Sequence, residues 1–138
     1  MIGLKTKTTD ETAKVKRAVA KANYQNLGHA ARSLRLIALR SIRDAPEGKP
    51  SPPGKPPRTR TDKRGKKRLR AAILYDLVSD VEAVIGPARH LIGLAGAAHE
   101  DGGTFRGEDY PARPFMRPAL EKAKAKIPTH WSNSVRNN

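Results

Sequence analysis

Proline placement does most to limit what this chain can become. Between Thr12 and Asp44 there is none, and six of the eleven then crowd between Pro46 and Pro57. Proline lacks a backbone donor and clashes with a preceding helical turn, so a helix can occupy the first stretch and none can cross the second. Thr8-Thr-Asp-Glu-Thr12 offers N-caps and early acids. Val15, Val19, Ala22, Leu27, Ala30, Leu34, Ile37 and Ser41 recur at three- to four-residue steps, with one longer gap, as an apolar stripe. The spacing predicts a helix over residues 10–44, about 50 Å long at 1.5 Å per residue, with Gly28 as the place where it would bend. Such a helix serves either as the spine for a sheet or as a contact to another subunit.

Residues 46–70 form a Pro-rich, basic loop with no core of its own. Its second part, Arg58, Arg60, Lys63, Arg64, Lys66, Lys67, Arg68 and Arg70 against the single Asp62, is too hydrophilic to fold alone. Charge is divided along the chain: residues 1–45 carry +7, residues 46–70 carry +8 and residues 71–138 carry zero, which sum to the total of +15. One side of the molecule is therefore strongly basic and faces phosphate or an acidic protein. The basic run reads either as a solvated loop or as an arm on DNA phosphates or an acidic patch. No aromatics interleave with it and no DNA-reading motif is present, so any DNA contact is to backbone, non-specific and salt-dependent.

The second half, residues 71–127, reads as a sheet plus a C-terminal helix. Residues 69–73 suggest a helical turn. Residues 74–79 and 81–85 show the alternating, β-branched texture of half-buried strands, joined tightly at Ser79-Asp80 and closed by Gly86-Pro87. Residues 91–98 are a weaker third strand. Pro118 suits the first turn of a helix over residues 117–127, stopped at Pro128. The expected fold is a single α+β domain: a long N-terminal helix on a small antiparallel sheet of three or four strands, then a C-terminal helix and a polar tail over residues 128–138. Low aromatic content (4%) leaves a modest core, with some burial supplied by neighbouring copies.

The segment Tyr110-Pro-Ala-Arg-Pro-Phe-Met-Arg-Pro-Ala-Leu120, after His99-Glu-Asp-Gly-Gly103, is too rich in Pro, Arg and aromatics for a generic linker. Pro111 and Pro114 fix their own φ and push Tyr110 and Arg113 out of helical geometry. The result is a rigid arm that delivers Phe115 and Met116 to one fixed place, with Arg113 and Arg117 beside them. Phe115 and Met116 are either ordinary core or part of a subunit boundary, where Arg and aromatics concentrate binding energy. An Arg there can pair with a carboxylate such as Glu100. Trp131 is either a staple onto the domain or an anchor on a partner.

The arm and its Gly-Gly corner resemble the C-terminal signature of bacteriophage tail-completion (head–tail joining, or neck) proteins. Ser51-Pro-Pro-Gly-Lys-Pro-Pro-Arg-Thr followed by Arg68-Leu-Arg70 is similar to the middle of the same family. The matching pieces run in order over roughly residues 51–120. The related virion morphogenesis proteins of contractile-tailed phages share the His–Gly-Gly and Pro-Ala-Arg-Pro-Phe pattern. Asp101 stands where family members often carry an aromatic. The resemblance implies a structural virion protein at the head–tail junction, made in the host cytoplasm. It implies a homo-oligomeric ring, six- or twelve-fold, between a connector or adaptor and tail terminator or tail tube proteins. Genomic double-stranded DNA would pass through its lumen, with the interface residues Arg113, Phe115, Met116, Arg117 and Trp131 at boundaries. The alternative is a basic, non-specific DNA-binding accessory protein.

No catalytic constellation is expected. His99, Glu100 and Asp101 are the one cluster of possible acid–base groups or ligands, and neighbours on a strand point to opposite faces. His99, Glu100, Gly102 and Gly103 are expected to build a structural turn, with a His99/Glu100 hydrolase as a remote rival. His29, His90 and His130 lack ligand spacing. With no cysteine there is neither thiol nucleophile nor disulfide. No metal, cofactor or membrane partner is expected: no apolar run approaches the ~20 residues of a spanning helix, and Met1-Ile-Gly-Leu-Lys lacks a signal-peptide core.

Overall fold

A computed structural model describes residues 5, 7, 9–46, 49–61, 65 and 68–134. The fold is α+β. Helix α1 spans Thr12–Ser41, about 45 Å at 1.5 Å per residue. The Asp10 carboxylate accepts both the N–H and the hydroxyl of Thr12, at 2.9 and 2.5 Å. These bonds satisfy a donor that the helix leaves unpaired and hold the Asp10 carboxyl below its ordinary range. No break occurs at Gly28; a Cβ there would rest in ordinary contact with Leu77.

The apolar stripe needs correction. Residues Asn26, Ala30, Ala31, Leu34 and Ala38 are buried on α1, whereas Val15 is 52% and Val19 45% exposed. Cover begins at about Ala20; the residues of α1 before it are exposed. Three of these five buried residues are alanines.

Strand β1 (Arg43–Asp44) pairs in parallel with β2 (Arg58–Thr59), Arg43 opposite Arg58. Ser41 is the last helical residue, so the helix ends before Pro46 is reached. A helical turn, α2 (Arg68–Ala71), leads into β3 (Ile73–Leu77), which pairs antiparallel with β4 (Ala83–Pro87). Gly86 and Pro87 lie within this ladder, opposite Leu74 and Ile73, so they extend the second strand where closure was expected.

Residues 91–98 are helical where a third strand was expected: α3 (Arg89–Ile92) and α4 (Ala95–Asp101). Alanines favour the helix, and Gly93 takes the positive φ that separates the two short helices. A second hairpin follows, β5 (Gly103–Phe105) and β6 (Glu108–Tyr110). Among the described residues, three separate two-stranded ladders, one of them parallel, stand in place of the single sheet of three or four strands. The helical segment between β4 and β5 keeps the two hairpins from sharing a ladder.

Helix α5 (Met116–Ala123) carries Pro118 in its first turn and ends before Pro128, which instead opens a 3₁₀ turn, Ile127–Trp131. The core joins Leu34, Ala38 and Ile42 of α1 and its exit to Leu69, Ile73, Phe115, Ala119 and Ala123. Among the described residues no helix is long and apolar enough to cross a membrane.

Candidate functional site

Three stretches distant in sequence meet at the arm. Glu100, on the last turn of α4, points its carboxylate at the start of α5. Oε2 accepts the N–H groups of Phe115 and Met116, and Oε1 that of Arg117, each at 2.9 Å. Helix starts leave such donors unpaired and carry partial positive charge, so a carboxylate from another element caps them favourably. The Arg113 N–H donates to the His99 carbonyl at 2.6 Å. The Gly102 N–H returns to the Ala98 carbonyl and ends α4.

Gly102 has φ +69°, and a Cβ there would stand 2.7 Å from the Ala112 nitrogen and 2.8 Å from the Tyr110 carbonyl oxygen. Only glycine permits this approach of corner to arm. From the other side the Pro-rich segment closes the knot: the Gly54 N–H donates to the Ala112 carbonyl at 2.8 Å. The Arg113 Nε–H donates to the Ser51 carbonyl at 2.7 Å.

These bonds place each expected site residue. Phe115 is fully buried in the core, and so is no part of the chain's surface. Met116 is half-buried against the same cluster. Arg113 is half-buried and braces the Pro-rich segment. Arg117 is exposed; its guanidinium meets Asp101 at 2.6 Å, not Glu100, which takes only its backbone N–H. Trp131 turns back onto the domain, its indole N–H donating to Asn23 Oδ1 at 2.5 Å.

His99 and Glu100 lie on a helix and not on a strand. Glu100 caps α5 where a role in the Gly-Gly turn was expected; Gly103, also at positive φ, opens β5. Burial, and then the Arg113 charge, lower the His99 pKa from its ordinary 6.5. Among the described residues no group of His, Asp and Glu is arranged to hold a metal ion.

Basic residues gather elsewhere. A cleft of about 590 Å³ lies beside the end of α1, the Pro-rich segment and α5; Arg40, Arg43, Lys55, Arg58 and Lys122 line it, with no carboxylate among the described lining residues. Ser51 also lines it, its hydroxyl buried and without a hydrogen-bond partner among the described residues. Among the described residues of the predicted basic arm, Arg58 alone lines this cleft. Arg60 and Arg68 are exposed, at the ends of the loop. Lys63, Arg64, Lys66 and Lys67 lie outside the described residues.

Sequence reasoning missed Arg40, Arg43, Lys55 and Lys122 as one group because they come from three places in the chain: the end of α1, the Pro-rich segment and α5. The parallel register of Arg43 with Arg58 unites two of the cleft's cations. No protein-family model, curated protein or solved structure matches the chain.

Proposed function

We propose that this chain is a structural protein of the phage neck, a ring component that joins the head connector or adaptor to the tail and catalyses no reaction. One observation carries the reading. Three of the four stretches that resemble tail-completion proteins, residues 51–59, 99–103 and 110–120 (Arg68-Leu-Arg70 being the fourth), are bonded to one another: Gly54 to Ala112, Arg113 to Ser51 and to His99, and Glu100 to the start of α5. A resemblance confined to unrelated loops would leave such pieces apart. Bonded together, they form a fixed frame that presents Arg117 and the β5–β6 hairpin outward on a rigid base, which suits docking among virion proteins. The bonds of Glu100 and the glycine corner serve the backbone, leaving no nucleophile–base pair at the knot to support turnover.

Purified particles should contain the polypeptide, and phage lacking it should accumulate separate heads and tails in negative-stain micrographs. Joined, infectious particles without the protein would end the proposal.

The cationic cleft favours a second reading, a basic accessory protein that grips DNA backbone. That reading expects tight binding of the free chain to duplex of any sequence, weakening steeply with salt. The neck reading expects assembly with tail or connector proteins whether DNA is present or not.

A further inference from the structure

The β3–β4 hairpin and the cationic cleft are opposite in charge. The hairpin exposes Asp76, Asp80 and Glu82. Between these carboxylates stand Val78, Val81 and Val84, 59%, 73% and 56% exposed. Its tip is preformed: the Val78 and Ser79 N–H groups donate to the Glu82 carbonyl, and the Val81 N–H to Ser79 Oγ. Contiguous apolar side chains left in water on a rigid projection mark a surface that another protein covers. The cleft offers the complement, five cations around walls that include Ile37, Pro52 and Pro56.

We propose that the β3–β4 hairpin of one copy seats in the cationic cleft of a second copy, head to tail. Its carboxylates would meet the guanidinium forks of Arg40, Arg43 and Arg58, a pairing whose planar geometry suits both groups. The valines would meet the apolar walls.

Position on α1 makes the contact intermolecular. Asn23 Nδ2 donates to the Asp80 carbonyl at 2.6 Å, fastening the hairpin tip beside the first half of the helix. Arg40, on the cleft, lies about 25 Å further along at 1.5 Å per residue. A chain therefore cannot place its own hairpin in its own cleft. Two different patches in contact make a heterologous interface, which closes into a ring or runs on as a filament. DNA backbone would satisfy the cations but leave the valines in water; a second copy accounts for both surfaces.

The inference deepens the ring reading above, and its test needs no virion. Sedimentation of the full chain at low salt should show species larger than the monomer, which added salt dissolves. The set Asp76→Lys, Asp80→Lys, Glu82→Lys and the set Arg40→Glu, Arg43→Glu, Arg58→Glu should each remain monomeric, with circular dichroism unchanged. Mixing the two sets should restore assembly, because every junction then pairs opposite charges. Cysteine is absent from the chain, so Val81→Cys combined with Lys55→Cys should oxidise to a ladder of linked copies, whereas Val81→Cys alone should stop at dimers.

A monomeric wild type, assembly by either reversed set, a mixture that fails to recover, or no ladder overturns the proposal. So does a cleft set that loses duplex binding yet self-associates as before, which would assign the cleft to phosphates. Assembly through this pair by a chain missing from virions would sink the neck reading alone. Assembly of a virion-borne chain through other surfaces would sink this inference alone.

Discussion

The Glu100 carboxylate accepts the backbone N–H of Phe115 at 2.9 Å, so the side chain at the corner of α4 holds in place the residue that fills the core. Core packing and arm placement are thereby one structural event. A substitution at either residue acts on both.

Phe115→Ala should destabilise the protein by about 3–5 kcal/mol, through lost burial plus the cavity left among Leu34, Ile73 and Ala119. Denaturant unfolding checks this. Phe115→Leu, which retains much of the volume, should lose less than half as much.

Glu100→Ala should cost about 2–3 kcal/mol, since three N–H groups at a helix start lose a charged acceptor together. Glu100→Gln keeps an acceptor oxygen and should fall between Ala and wild type. Equal midpoints for all three proteins in urea would contradict the capping role.

Gly102→Ala adds a Cβ at 2.7 Å from the Ala112 nitrogen on a backbone of φ +69° and should cost about 3 kcal/mol or more. Gly107 provides the contrast: its φ is +82° but the space around it is open, so Gly107→Asn should be tolerated within about 1 kcal/mol. Thermal unfolding of the two variants side by side separates crowding from backbone strain.

His99 gives a pH dependence of known sign. Burial, with the Arg113 charge second, lowers its pKa in the folded protein below 6.5, so in the window beneath 6.5 the unfolded chain binds more protons. The stabilisation from neutral His99 is complete above 6.5 and declines as pH falls through that window towards the folded pKa. His99→Gln should flatten this part of the stability–pH curve relative to wild type, as measured by urea midpoints at neutral and mildly acid pH. An unchanged slope would show that His99 does not contribute.

Arg117→Ala should change stability by less than about 1 kcal/mol, because its ion pair with Asp101 is open to solvent, with side-chain exposures of 75% and 55%. A defect in head–tail joining with stability intact would then report on contacts outside the protomer. Phe115, being internal, cannot make that distinction.

How much of this was legible beforehand depended on whether the signal was local. Proline spacing marked the long helix but placed its end three residues late, and the β-branched run marked the β3–β4 hairpin within two residues. Helix α4 was harder to read, because Gly93 and Gly96 masked the helical preference of the alanines around them. Which face of α1 is buried depended on distant partners: Val15 and Val19 fit the periodicity, but among the described residues none covers them. The arm was readable as rigid from Pro111 and Pro114, yet its brace by Ser51 and Gly54 was not, since pairing across some sixty positions leaves no periodic trace. The cleft was hidden for the same reason, its five cations being scattered from Arg40 to Lys122.

Asn23 serves two masters. Its amide nitrogen donates to the Asp80 carbonyl while its oxygen receives the Trp131 indole N–H. Because that indole is the chain's sole tryptophan, its fluorescence forms a built-in gauge of strain at the hairpin tip. A load on the finger that tugs Asn23 would be visible optically in unlabelled protein.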